Sequence, residues 1–135
     1  RLEAMARANG SALALAHAAI RPGVHGWDVQ VAVCEAFTAR GYPTPLSEPG
    51  TLRGYVHGLG HGVGFELHEY PSFKRHAKAD GLLAAGDVLT LEPGLYDPDP
   101  ADGFGIRLED LVYLDETGAE NLTPLPESLD PRSWG

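Results

Sequence analysis

Residues 57–71 read HGLGHGVGFELHEYP. Three of the chain's six histidines, His57, His61 and His68, fall in this stretch, and glycine takes every second position from Gly58 to Gly64. On a helix, His57 and His61 would lie four residues apart on one face and could share a metal. The glycines exclude that helix, because each costs about 1 kcal/mol in a helix interior relative to alanine. In an extended chain His57, Leu59, His61 and Val63 share one face, and the glycines leave the other bare for close approach of a backbone or ligand. A rise of about 3.3 Å per residue then sets His57 and His61 about 13 Å apart. Ligands of one ion sit within about 4 Å of each other. One metal ligand is therefore expected among the three histidines, with the others contacting substrate or intermediates. His68 has the opposite parity and reaches the same pocket only through a break in the strand.

Upstream of this stretch the sequence is helical in pattern. Leu2, Met5, Ala6, Leu13, Ala16 and Ile20 follow a 3.6-residue period over the first 20 residues. Gly10 weakens that helix, and Arg21-Pro22-Gly23 stops it, since a residue before proline avoids helical torsions. A second helix is expected from Trp27 to Arg40, with Val29, Val33 and Phe37 on one face and Gly41 ending it. A proline-rich loop, YPTPLSEPG (residues 42–50), follows. Downstream the period becomes two. VLTLEPGLY (88–96) and IRLEDLVYL (106–114) read as strands, the first stopped at Pro93-Gly94. DETG (115–118) is a turn into a short strand near Asn121, and a polar tail ends the chain. Two helices followed by strands predict an α+β fold with an antiparallel sheet.

Two glutamates stand out among these strands. Glu92 ends the apolar run Val88–Leu91, and Glu109 lies inside an equally apolar strand. Glutamate is rarely buried unless paired or metal-bound, so a cation holding both carboxylates and a histidine is the chemistry this pattern suggests. Arg107 is two residues from Glu109, about 7 Å along one strand face, and could orient that carboxylate or simply pair with it. An imidazole with two carboxylates suits Mn, Fe, Co or Zn. Asp80, Asp87, Asp97, Asp99 and Asp102 sit in turn-like stretches, where solvated aspartate is the expectation.

Bulk properties narrow the field. The chain has 135 residues, 43% of them hydrophobic, enough for one domain with a core. A formal net charge of −9, with ten scattered Lys and Arg, argues against nucleic acid or an anionic membrane as partner. A single cysteine, Cys34, forbids an internal disulfide and reads as a buried hydrophobe. No apolar run approaches the roughly 18 residues of a membrane span, no signal-peptide pattern opens the sequence, and a cytoplasmic location is expected.

Three ordered blocks, HGLGHGVGFELHEYP, GDVLTLEPGLY and GIRLEDLVYLDETGAENLT, resemble those of the pita-bread metallopeptidases. That family includes methionine aminopeptidase, aminopeptidase P, prolidase and creatinase. AIRPGV (19–24) and the helix after it resemble the segment preceding the first block. The resemblance implies that His61, Glu92 and Glu109 ligate metal, and that His57 and His68 contact substrate and stabilise the intermediate. It implies that Glu92 also takes the nucleophile's proton, and that Arg107 matches the arginine beside the last ligand in proline-specific members. His57 together with GIRLED points to the prolidase and aminopeptidase P branch, because methionine aminopeptidases usually lack both. Retention of the three ligands argues against a creatinase-like, metal-free member. The implied cofactors are two divalent ions, Mn or Co with Zn or Fe as alternatives, and the implied substrate is a peptide cleaved near its N-terminus, next to proline.

The family's two metal-binding aspartates lie on a hairpin upstream of these blocks. Residues 1–135 are thus expected to form the C-terminal half of a catalytic domain built from two similar α+β halves, with the N-terminal half absent. Such a chain would hold three of five ligands, need the missing half or a partner chain, self-associate through apolar surface and be inactive alone. A non-catalytic binding or regulatory module on half of the fold is the alternative.

Overall fold

The apolar 3.6-residue repeat winds into α1 (Leu2–Ala19) and α2 (Gly26–Thr38) in the computed structural model, which describes residues 1–75, 81–126, 128–130 and 132. Met5, Ala8, Ala12, Leu13 and Ala16 of α1 are buried, whereas Leu2 is 44% exposed because it precedes the part of the helix that meets the sheet. Ile20 turns extended and Gly23 takes a left-handed φ of 87°, as the Arg21-Pro22-Gly23 stop requires. His25 caps α2 by accepting the Trp27 N–H at 3.2 Å through Nδ1. At the other end Gly41, with φ 81°, lets the Gly41 N–H reach the Thr38 carbonyl and the Tyr42 N–H reach Phe37. The rings of Phe37 and Tyr42 then meet edge-on at 6.4 Å, which adds an apolar contact to the cap.

Among the described residues seven short strands follow: β1 (His61–Gly62), β2 (Glu69–Ser72), β3 (Val88–Leu91), β4 (Gly94–Asp97), β5 (Phe104–Arg107), β6 (Asp110–Leu114) and β7 (Ala119–Asn121). Five form an antiparallel sheet in the order β2-β1-β3-β6-β7, and β4 pairs with β5 in a separate ribbon. Val29, Val33 and Phe37 of α2 are buried together with Leu89, Leu91, Leu95, Val112 and Leu114 in one core. The Asn9 amide ties α1 to the Ile106 carbonyl of β5 at 2.7 Å, and His17 meets the buried Asp110 of β6 at 2.7 Å. The α+β architecture with an antiparallel sheet is the expected one. Among the described residues no helix is long and apolar enough to cross a membrane.

Three local expectations change. VLTLEPGLY is two strands, β3 and β4, because Pro93 interrupts the ladder and the chain leaves one sheet for the other. IRLEDLVYL likewise divides into β5 and β6, with Leu108 and Glu109 at the joint. The extended run expected from His57 is a strand only at His61–Gly62, with a register shift between those residues. Asp97 lies in β4 and pairs with Arg1 at 3.1 Å, while Asp87 and Asp99 accept backbone N–H groups in turns. Asp80 and parts of the C-terminal tail lie outside the described residues.

Burial has a consequence for alkaline stability. Tyr55 is fully buried and donates its hydroxyl to Gln30 Oε1 at 3.0 Å. Loss of hydration pushes this hydroxyl well above its usual value near 10, and burial likewise raises the Cys34 thiol above 9.0. Above those usual values the unfolded chain gives up protons that the folded chain retains. Stability is therefore complete at lower pH and falls as pH rises through the values usual for these groups. Tyr55→Phe is expected to flatten this fall above pH 10 in denaturant titrations, and an unchanged slope would contradict it.

Candidate active site

His61 stands at the meeting of β1, β2 and β3. Its backbone N–H donates to Thr90 Oγ1 at 3.1 Å, and that hydroxyl donates to Glu92 Oε1 at 3.1 Å. Its Nδ1 lies 3.0 Å from the Gly62 carbonyl, which can only accept, so Nδ1 carries the proton. Nε2 then faces Glu92 Oε1, 3.3 Å away. Both side chains are mostly buried, at 19% and 13% exposure. An imidazole tethered to a backbone carbonyl through Nδ1, with its other nitrogen beside a carboxylate, is the arrangement metal-binding histidines adopt.

The glycines are explained by backbone proximity. A Cβ on Gly60 would run into the Thr90 carbonyl, and one on Gly62 into the Tyr70 carbonyl. These two positions let β2 and β3 close on the histidine segment. Gly58 differs, since open space surrounds its position.

Glu92 and Glu109 occupy the two joints between the sheet and the ribbon. Leu91 faces Asp110 below the joint and Gly94 faces Arg107 above it, so the same register continues through the break. The Leu108 N–H still reaches the Pro93 carbonyl at 3.2 Å. Glu92 and Glu109 are thereby set opposite each other. Arg107 bridges them, with one guanidinium nitrogen 3.3 Å from Glu92 Oε2 and the other 3.1 Å from Glu109 Oε2. Glu109 is not the buried carboxylate its apolar neighbours suggested, because at the joint it is 41% exposed while the next residue, Asp110, turns inward to His17.

The strand break that His68 needs is present. Residues 64–68 bend, the chain returns as β2, and the His68 ring lies 4.4 Å from that of His61. His57 is engaged at both nitrogens. Nδ1 donates to the Gly58 carbonyl at 2.7 Å, and Nε2 accepts from the Tyr96 hydroxyl at 3.0 Å. Burial raises the Tyr96 hydroxyl, which keeps it protonated as the donor; Arg107 opposes this shift and Glu92 adds to it.

His57, His61, His68, Glu92 and Arg107 all line one cavity of about 650 Å³, together with Glu69, Tyr70, Ser72 and Lys74. Glu109 joins this group through Arg107. Among the described residues no three His, Cys, Asp or Glu side chains gather closely enough to hold one ion. The donors present fit a metal as a His61–Glu92 pair, with Glu109 held one guanidinium away. Sequence reading missed Thr90, Tyr96 and Gln30. Gln30 alone left a signal, as a polar residue within the apolar stripe of α2.

The cavity of this α+β fold thus brings together a histidine–glutamate pair and an arginine that bridges to a second glutamate. The chain belongs to metallopeptidase family M24, whose model matches residues 3–116. It is 41% identical over 75 residues to an Xaa-Pro dipeptidase of Pyrococcus furiosus, a match covering 56% of this chain and 20% of that protein. The X-Pro aminopeptidase of Thermotoga maritima superposes with a TM-score of 0.78 at 33% identity, over 94% of this chain and 32% of that one. Zinc-substituted aminopeptidase P of Escherichia coli, in complex with product, gives 0.70 at 26% identity, over 90% of this chain and 30% of that one. The chain thus spans less than a third of the length of these relatives, and its two helices and antiparallel sheet are part of their pita-bread fold.

Gly60→Ala and Gly62→Ala are each expected to destabilise the protein by at least about 1–3 kcal/mol, because the obstructing atoms are backbone. Gly58→Ala should change stability far less. Urea unfolding of the three variants tests the contrast, and equal losses would refute it.

Proposed function

We propose that this chain supplies the histidine–glutamate half of a metal-dependent exopeptidase that cleaves Xaa-Pro bonds near the peptide N-terminus, as aminopeptidase P or prolidase does. The supporting observation is the linked set His61–Glu92–Arg107–Glu109, which meets His57 and His68 at one cavity. The cavity's volume lies in the range of small-ligand clefts. Two divalent ions, Mn or Co with Zn or Fe as alternatives, would be held in part by His61, Glu92 and Glu109 and would supply Lewis-acid activation of water and the scissile carbonyl.

The chain's own groups divide the remaining work. Arg107 neutralises and aligns Glu92 and Glu109. Glu92, whose Oε1 is fixed by Thr90, takes the proton of the attacking water. His68 presents its ring beside His61 to the developing oxyanion. His57 serves the substrate carbonyl by donating an Nε2–H, which requires that nitrogen to gain a proton and give up its bond from the Tyr96 hydroxyl.

The two-donor metal pair favours a chain that is incomplete by itself. We propose that it acts with a preceding half or a partner chain, which would also cover the exposed Phe65, Leu67 and Tyr70, and that it self-associates when alone. The same observation favours a second reading, a non-catalytic binding or regulatory module. Gly-Pro and Xaa-Pro peptides assayed with added Mn on the intact protein separate the two. Turnover supports the peptidase, and peptide binding without hydrolysis supports the module. In the peptidase, Glu92→Gln and Glu109→Gln should each lower turnover by roughly 10²–10⁴-fold. Retained activity in either variant, at unchanged metal content, would overturn the assignment.

A further inference from the structure

We infer that Gln30 is a positioning residue of this site: its carboxamide stands in for a neighbouring strand along His57–Leu59 and sets the backbone that aims His57 at the cavity. The inference rests on the proposed role of His57. Strand β1 begins at His61, and of the three residues from His57 to Leu59 only Leu59 keeps a bond of that ladder, its carbonyl accepting the Glu92 N–H at 2.7 Å. Gly58 sits at their centre, exposed and with open space where a side chain would be. A glycine so placed has wide torsional freedom.

Gln30 supplies what the sheet does not. It projects from α2 and is 4% exposed. Its Oε1 accepts the Leu59 N–H at 2.6 Å, and its Nε2 donates to the His57 carbonyl at 3.4 Å. These are the two bonds that a residue facing Gly58 on an adjacent parallel strand would make. The amide's remaining capacity is also filled, by the Tyr55 hydroxyl at 3.0 Å and Cys34 Sγ at 3.5 Å. Leu59 N–H can only donate and the His57 carbonyl can only accept, so the amide has one orientation. Tyr55, bound to the same oxygen, also packs edge-on against the His57 ring at 5.3 Å. One side chain therefore fixes both the backbone beneath His57 and a ring that packs beside it.

The test is a double-mutant cycle in the intact protein. Gln30→Met keeps length and removes every hydrogen bond. It is expected to lower kcat on an Xaa-Pro peptide by roughly 10–100-fold, as sub-ångström to ångström misplacement does, with metal content unchanged and KM within about twofold. In a His57→Ala background the same substitution should have little further effect, because its action passes through that ring. Losses that multiply, or a Gln30→Met enzyme with wild-type kcat, overturn the inference. If Gln30→Met does not fold, Gln30→Glu, which keeps the Oε1 acceptor and loses the Nε2 donor, is read by the same criteria. A wild-type protein without Xaa-Pro hydrolysis would fail the proposed function instead. Positioning is then decided by NMR, where the variant should shift or broaden the His57 ring signals and spare those of His17. Unmoved His57 signals overturn it.

Discussion

Two carboxylates held opposite each other on paired strands repel, and a ladder tolerates them only if positive charge comes between. Glu92 and Glu109 stand in that relation because the register of β3 with β6 is the register of β4 with β5. Arg107 answers it with one nitrogen on each, and its position at the end of β5 follows from the same register. Thr90 and His61 then occupy the other Glu92 oxygen. The site's charge arrangement is thus a consequence of strand pairing.

The remaining parts hold backbone more than they hold side chains. Gly60 and Gly62 let two strands approach the histidine segment closely, which fixes His61. Gly58 cannot be fixed that way, and a buried amide from α2 bonds the chain on either side of it. Neighbouring residues therefore reach rigidity by opposite means, one by contact and the other by hydrogen bonds across a gap. The core beneath α1 and α2 gives Gln30 a stable base, since Val33 and Phe37 on the same helix are fully buried.

Much of this was legible in the sequence. The helices and their stops were read from apolar period and from Arg21-Pro22-Gly23 and Gly41, because local torsions decide them. The absence of a helix around the histidines followed from glycine content. The joints were not legible. An apolar run such as IRLEDLVYL looks the same whether it stays in one sheet or changes sheets, and only tertiary pairing distinguishes them. For that reason the pattern did not tell which carboxylate of this run turns inward, and it is Asp110, paired with His17, while Glu109 is exposed at the joint. Tyr96 was hidden for the same reason, as its partner His57 is distant in sequence. Gln30 was visible as a polar residue among apolar ones, but its target could not be named without the fold.

The ribbon's unbroken register also decides which insertions the site can absorb. The spacing between Glu92 and Glu109 is set by the ladder at the joint, where the Leu108 N–H donates to the Pro93 carbonyl and Gly94 stands opposite Arg107. The turn joining β4 to β5, residues 98–103, contributes nothing to that spacing. Extra residues there would lengthen an exposed tip and leave the two carboxylates where they are. A single residue added between Leu91 and Gly94 would instead slip one strand past the other and turn alternate side chains to the wrong face. Length variation is therefore tolerable at the tip and intolerable at the joint, although fewer than ten residues separate the two.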